Sequence, residues 1–163
     1  MVDNIEIYLL LGQSNADGRA YVTDLPAEYV NVPTNIEYWY RGNRYNRTDN
    51  VVTFGGFYRF GPAPTLLSKL GICRHDKRII VVQHSYGGSS LYSSWHSPLY
   101  DSNRAAVMGE TVSIYQWYSF LNGFFAALGN REAVYKTVFW LQGEQDATNA
   151  TAAQDYYNGL VNL

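Results

Sequence analysis

Residues 8–19 read Tyr8-Leu-Leu-Leu-Gly-Gln-Ser-Asn-Ala-Asp-Gly-Arg19. An apolar run ends at a glycine, and a serine follows among polar neighbours. The run from Ile5 to Leu11 predicts a buried parallel strand. A sharp turn at the carboxyl end of such a strand is where open α/β sheets hold ligands. A serine there carries its hydroxyl at the mouth of the crevice, and adjacent backbone N–H groups can face a developing oxyanion. The stretch also fits a plainer use of Ser14, as a turn residue capping the next segment.

Two later segments repeat the design: Ile79-Ile-Val-Val-Gln-His-Ser-Tyr-Gly-Gly-Ser-Ser-Leu-Tyr-Ser-Ser-Trp95 and Val138-Phe-Trp-Leu-Gln-Gly-Glu-Gln-Asp146. Each is an apolar β-type run followed by glycine and a cluster of hydrogen-bonding side chains. Three strand ends of this kind point to one assembled site. The ordered set GQSN, GGSSLYSSW and WLQGEQD resembles the SGNH (GDSL-type) hydrolase superfamily. Within it, the set is most similar to carbohydrate esterases of the sialate O-acetylesterase and acetylxylan-esterase type. The resemblance runs from Tyr8 to Asp146 and takes in Phe60-Gly-Pro-Ala-Pro-Thr-Leu-Leu67.

The element pattern agrees with such a fold. Ile36 to Tyr40 reads as a second strand, and Arg41 to Gly61 as a long polar, aromatic surface loop. Pro62 and Pro64 suit the first turn of a helix that runs to about Leu70 and stops at Gly71. Arg78 to Gln83 is the next strand, continuous in apolar residues as in a sheet covered on both faces. Ile114, Trp117, Tyr118, Leu121, Phe124, Phe125 and Leu128 form one apolar stripe, predicting a helix over 114–128. Ala133 to Gln142 follows as a strand, and a last helix opens at Asn149 or Thr151. Alternating strands and helices predict a three-layer α/β/α sandwich with a mainly parallel sheet, flavodoxin-like in arrangement. The chain reads as a single domain over 1–163, C-terminally truncated relative to the family: its last helix reaches Leu163 without a stop signal or a following strand.

Composition excludes several function classes. The 163 residues carry a net charge of −2 and no basic run, which argues against a nucleic-acid partner. No apolar run approaches the length of a membrane span. Ile5 to Leu11 is short, has Asp3 before it and Glu6 within it rather than Lys or Arg, and lacks a cleavage site, so it does not read as an export signal. Localisation stays open: a signal is either absent or already removed. The single Cys73 excludes an internal disulfide and reads as a small apolar residue at a helix end. The 15 Tyr and 4 Trp, including Tyr38-Trp-Tyr40 and Tyr86 to Trp95, would suit a sugar-binding surface or ordinary packing.

The resemblance implies roles residue by residue. Ser14 is the nucleophile, and its own N–H is one oxyanion donor. Gly88 gives a second N–H, with Gly87 the alternative, and the Gln142 side-chain amide gives the third. Gln13, Asn15, Glu144 and Asp146 are supporting residues. Asn15 would hold the serine turn, and Glu144 would accept hydrogen bonds from it. From position alone, apart from the resemblance, Arg19 would neutralise Glu144 or bind substrate, and His84, Trp95 and His96 are further candidates for substrate contact. The substrate would be an acetylated carbohydrate. No metal is expected, since the histidines lack ligand spacing, and the chemistry implied by the resemblance needs no cofactor.

The family's Asp-x-x-His motif does not occur in the chain. His75 reads as a solvated loop residue. His84 follows a strand near Gly87, and His96 lies in a Ser-rich loop. None matches the family's base by position, so the catalytic Asp and His are expected beyond Leu163, on a further C-terminal segment or chain that completes the site. Two other readings stay open: another SGNH lipase or thioesterase, and a catalytically incomplete carbohydrate-binding or assembly module.

Overall fold

A computed structural model of the chain describes residues 5–53, 56–95, 124–125, 128–129, 131–161 and 163. In chain order the elements are β1 (Ile5–Gly12), α1 (Ser14–Asp17), β2 (Ala20–Tyr21), β3 (Ile36–Tyr40), β4 (Asn43–Tyr45), β5 (Arg59–Phe60), α2 (Ala63–Cys73), β6 (Ile79–Ser85), β7 (Ala133–Leu141) and α3 (Ala150–Val161). Among the described residues the main sheet has the order β4-β3-β6-β1-β7. β3, β6, β1 and β7 run parallel, and β4 returns antiparallel beside β3. β2 and β5 form a separate antiparallel pair.

Successive residues of a strand point to opposite faces, so a strand covered on both sides is apolar throughout. Ile7, Leu11, Ile80 and Val82 enter one core, with Leu91, Trp95, Phe124 and Leu128, and Tyr156 of α3 packs against it. Tyr8, Leu10, Ile79 and Val81 enter the other, under Ala63 and Leu67 of α2. Helices therefore cover both faces, and the expected three-layer α/β/α sandwich with a mainly parallel sheet is what the chain forms. Fully burying each such aliphatic side chain contributes about 1.5–3 kcal/mol.

Several local expectations change. The segment 41–61 is not one loop. Arg41 (φ 45°) and Gly42 (φ 84°) make a two-residue turn that pairs Tyr40 with Asn43. Positive φ at both central positions is the tight hairpin geometry, usually marked by Asn or Gly and here disguised by arginine. Isolated bridges join Asn31 to Arg47 and Val52 to Tyr58, and the segment ends in β5. α2 continues through Gly71 to the exposed Cys73. Gly71 serves close approach there: a Cβ would lie 2.6 Å from Pro33 Cγ. Asn149 caps α3 by accepting the Ala152 N–H at 3.1 Å, so the capping spacing at Thr151 goes unused. Of the helix expected over 114–128, residues 114–123 and 126–127 lie outside the described residues, while Phe124 and Leu128 are buried.

Candidate active site

Main-chain hydrogen bonds gather the three glycine-bearing strand exits. Gly12 has φ 147°, and a Cβ on it would lie 2.0 Å from Leu141 O. Only glycine lets the end of β1 touch the end of β7 this closely. Gln13 N–H donates to Leu141 O at 3.0 Å, and Tyr86 N–H donates to Gly12 O at 3.0 Å. The end of β1 is thereby bonded to the ends of both neighbouring strands. Ser14 then opens the single turn of α1, closed by Asp17 N–H to Gln13 O and Gly18 N–H to Ser14 O.

Ser14 is half-buried and stands beside the second exit. A Cβ placed on Gly87 would be 4.0 Å from Ser14 Cβ. Gly88, with φ 75°, is exposed and open around its Cα. Side chains tie the third exit to the other two. Asn15 Nδ2 donates to Glu144 Oε1. Gln13 Oε1 accepts from Gln145 N–H and from Gln142 Nε2, each at 3.3 Å. Asp146 is buried, and its carboxylate accepts the N–H groups of Leu91 and Tyr92 at 2.9 Å each, together with Gln142 Nε2. The first, second and third motifs thus meet at one end of the sheet.

The family described as carbohydrate esterase, sialic acid-specific acetylesterase, matches residues 4–163. The chain belongs to that family. No curated protein matches it. Its fold is similar to that of a protein from Arabidopsis thaliana, with a TM-score of 0.69 and 19% identity over 96% of this chain. It is also similar to that of NanS, with a TM-score of 0.55 and 16% identity over 99% of this chain. This chain spans 65% of the length of each of these two proteins.

In this carbohydrate-esterase family member several side chains do work other than that expected from sequence. Gln142, expected as an oxyanion donor, has its amide committed to protein acceptors: Gln13 Oε1, Ser89 O at 3.1 Å and Asp146 Oδ2. An amide nitrogen has two hydrogens, so these acceptors use its capacity. Its Oε1 is buried with no hydrogen-bond partner among the described residues. Gln142 is a brace between the three exits in this arrangement. Arg19 does not pair with Glu144; its Nη1 donates to Asp17 Oδ2 at 3.0 Å and to Gly18 O at 2.9 Å. β6 runs two residues further than expected, which keeps His84 inside the strand. His84 is buried edge-on to Trp95, with ring centroids 5.5 Å apart, rather than standing at the mouth.

Trp95 is fully buried and stacks edge-on against Trp140. Its Nε1–H donates to Ser89 Oγ at 2.8 Å, so it anchors the glycine turn from below and offers no face to a sugar. Tyr38 and Tyr40 are likewise core residues, donating to Gln83 and Asp17. Burial and the nearby Asp17 carboxylate push the Tyr40 hydroxyl pKa well above its usual value, keeping it a proton donor. His75 is exposed next to Arg74, which pairs with Glu6 at the opposite end of β1. His96 lies outside the described residues. Neither described histidine hydrogen-bonds Ser14. Among the described residues, no group of three His, Cys, Asp or Glu side chains could hold a metal, and no helix is long and apolar enough to cross a membrane.

Asp17, Arg41 and Ser85 were not singled out from sequence. Asp17 lies within the GQSNADGR stretch, yet nothing in the sequence says that its carboxylate turns inward. Arg41 Nε donates to Ser85 O at 3.0 Å, and Ser85 Oγ donates to Asp17 Oδ1 at 2.9 Å. Asp146→Ala gives the clearest structural test of the site's scaffold. It leaves two buried N–H groups and an amide without their acceptor, an expected loss of about 3 kcal/mol. For a domain of this size that is a fall in Tm of roughly 10 °C. A circular-dichroism melt within about 2 °C of the parent would contradict the clamp.

Proposed function

We propose that this chain carries the nucleophile and oxyanion half of a serine esterase that removes O-acetyl groups from a carbohydrate of the sialate or acetylxylan type. The observation that supports it best is Ser14 at the exit of β1, with Gly87 at its side and the GEQD turn bonded to its neighbours Gln13 and Asn15. Serine is a weak nucleophile at neutral pH, so a base must take its proton as Oγ attacks the acetyl carbonyl. The C–O bond to Oγ forms, and the carbonyl oxygen becomes an oxyanion held by the N–H groups of Ser14 and Gly88. Collapse breaks the bond to the sugar oxygen, which leaves with the proton. Water then releases acetate from the acyl-serine by the same steps.

In this reading Gln142 keeps those donors in register. As a third donor it would first have to give up one of its protein acceptors. The base comes from outside the described residues, on a further C-terminal segment or chain that completes the site. A carbohydrate-binding or assembly module on the same fold is the second reading, favoured by the Gln142 amide being committed to Gln13, Ser89 and Asp146.

A fluorophosphonate probe separates the two. Covalent labelling that maps to Ser14, together with acetate release from an O-acetylated sugar in preference to long acyl esters, is the expected result. A folded full-length protein that binds sugar but leaves Ser14 unlabelled would favour the binding module. Preference for long acyl chains would point to a lipase or thioesterase instead.

A further inference from the structure

Asp17 ends the helical turn that begins at Ser14, and its side chain is wholly buried. Donors from three other places converge on it: Tyr40 Oη at the end of β3, Ser85 Oγ at the end of β6 (2.9 Å), and Arg41 Nη2 (3.3 Å). Arg19 Nη1 adds a fourth at 3.0 Å. A buried carboxylate is costly unless paired and hydrogen-bonded, and this one is paired with two guanidinium groups. None of the steps of ester hydrolysis uses it.

The consequence reaches the site through Arg19. Its Nη1 is held by Asp17 and by Gly18 O, and its Nη2 lies across Gly87. A methyl on Gly87 would be 2.4 Å from Nη2 and 4.0 Å from Ser14 Cβ. The guanidinium, the glycine turn and the serine are therefore packed side by side. Residue 87 has no side chain, and its backbone φ lies outside the left-handed region. The space its Cβ would fill is where the guanidinium sits.

We propose that Asp17 is a positioning residue: it holds the Arg19 guanidinium over Gly87, and that contact sets where the Gly87–Gly88 amides stand relative to Ser14 Oγ. The kinetic consequence rests on the esterase reading; the geometric one does not. Asparagine at position 17 would present an amide donor to the guanidinium donors and release Arg19. Misplacement of reacting groups by an ångström costs up to about a hundredfold in rate.

The test compares Asp17→Asn, Arg19→Ala, Gly87→Ala and the Arg19→Ala/Gly87→Ala double variant in the full-length protein. With p-nitrophenyl acetate, kcat falls about tenfold or more in each single variant while KM stays within about twofold. The double variant is no worse than the worse single one, because both changes break the same contact. The amide resonances of Gly87 and Gly88 in 1H–15N spectra shift alike in Asp17→Asn and Arg19→Ala. That readout needs no turnover, so it decides the proposal even where the esterase reading fails. Should Asp17→Asn not fold, the half-exposed Arg19 and the Gly87 change carry the comparison. Losses that add in the double variant would overturn the proposal. So would a KM effect without a kcat effect in Arg19→Ala, or unmoved Gly87 and Gly88 resonances.

Discussion

Ser14→Ala lowers kcat for an acetyl ester by about four to six orders of magnitude and leaves the melting transition where it was. In the proposed mechanism the hydroxyl carries the covalent step, and none of Asn15, Ser85 and Ser89 is placed to substitute: the first is an amide bonded to Glu144, and the two serines spend their hydroxyls on Asp17 and Tyr86 O. Stability is spared for a separate reason. Ser14 is half-buried at the first position of α1, where alanine is a good helix former, so the change stays within about 0.5 kcal/mol. The measurement pairs steady-state acetate release with a thermal melt and the fluorophosphonate label. Retained turnover, or a label that persists on another residue, removes Ser14 from the role of nucleophile.

Gly12→Ala has the opposite signature: it damages the fold and the site together. The added methyl meets Leu141 O at 2.0 Å and Leu141 C at 2.6 Å, both main-chain atoms that cannot swing aside. The backbone φ of 147° is itself unfavourable for a residue with a side chain. Relief requires β1 and β7 to part at their ends, breaking the Gln13 N–H to Leu141 O bond. The expected loss is about 4 kcal/mol or more, among the large values seen for single substitutions. Denaturant titration checks it: the midpoint drops sharply. A variant of parental stability would mean that the two strand ends do not touch.

What could be read in the sequence follows from what a pattern can encode. The run Ile79 to Val82 announces a strand buried on both faces, and glycine after such a run announces an exit where chains come close. Hence the parallel sheet, the three exits and their convergence were legible from GQSN, GGSSLYSSW and WLQGEQD. Inward or outward orientation past the exits was not. Trp95 follows a run of serines and looks solvent-facing, yet the polar loop folds back and buries it against Trp140. His84 looked loop-borne because Gln83 ended the apolar run, but the backbone pairing continues to Ser85. A charged residue gives no sign of burial until its partners are known, and the donors to Asp17 come from residues 19, 40, 41 and 85.

The turn that carries Ser14 has a foothold in each of the two cores. Gln83 Nε2 donates to Ala16 O at 2.7 Å and its Oε1 accepts from Tyr38, linking the turn to the layer under α2. On the other face, Gln13 joins Gln142 and Asp146, which clamp the segment leading to Trp95. The position of the turn therefore depends on the packing of both layers. Reinforcing the scaffold of this turn means reinforcing both sides of the sheet, since strengthening one alone leaves the Ser14 hydroxyl hanging from the weaker.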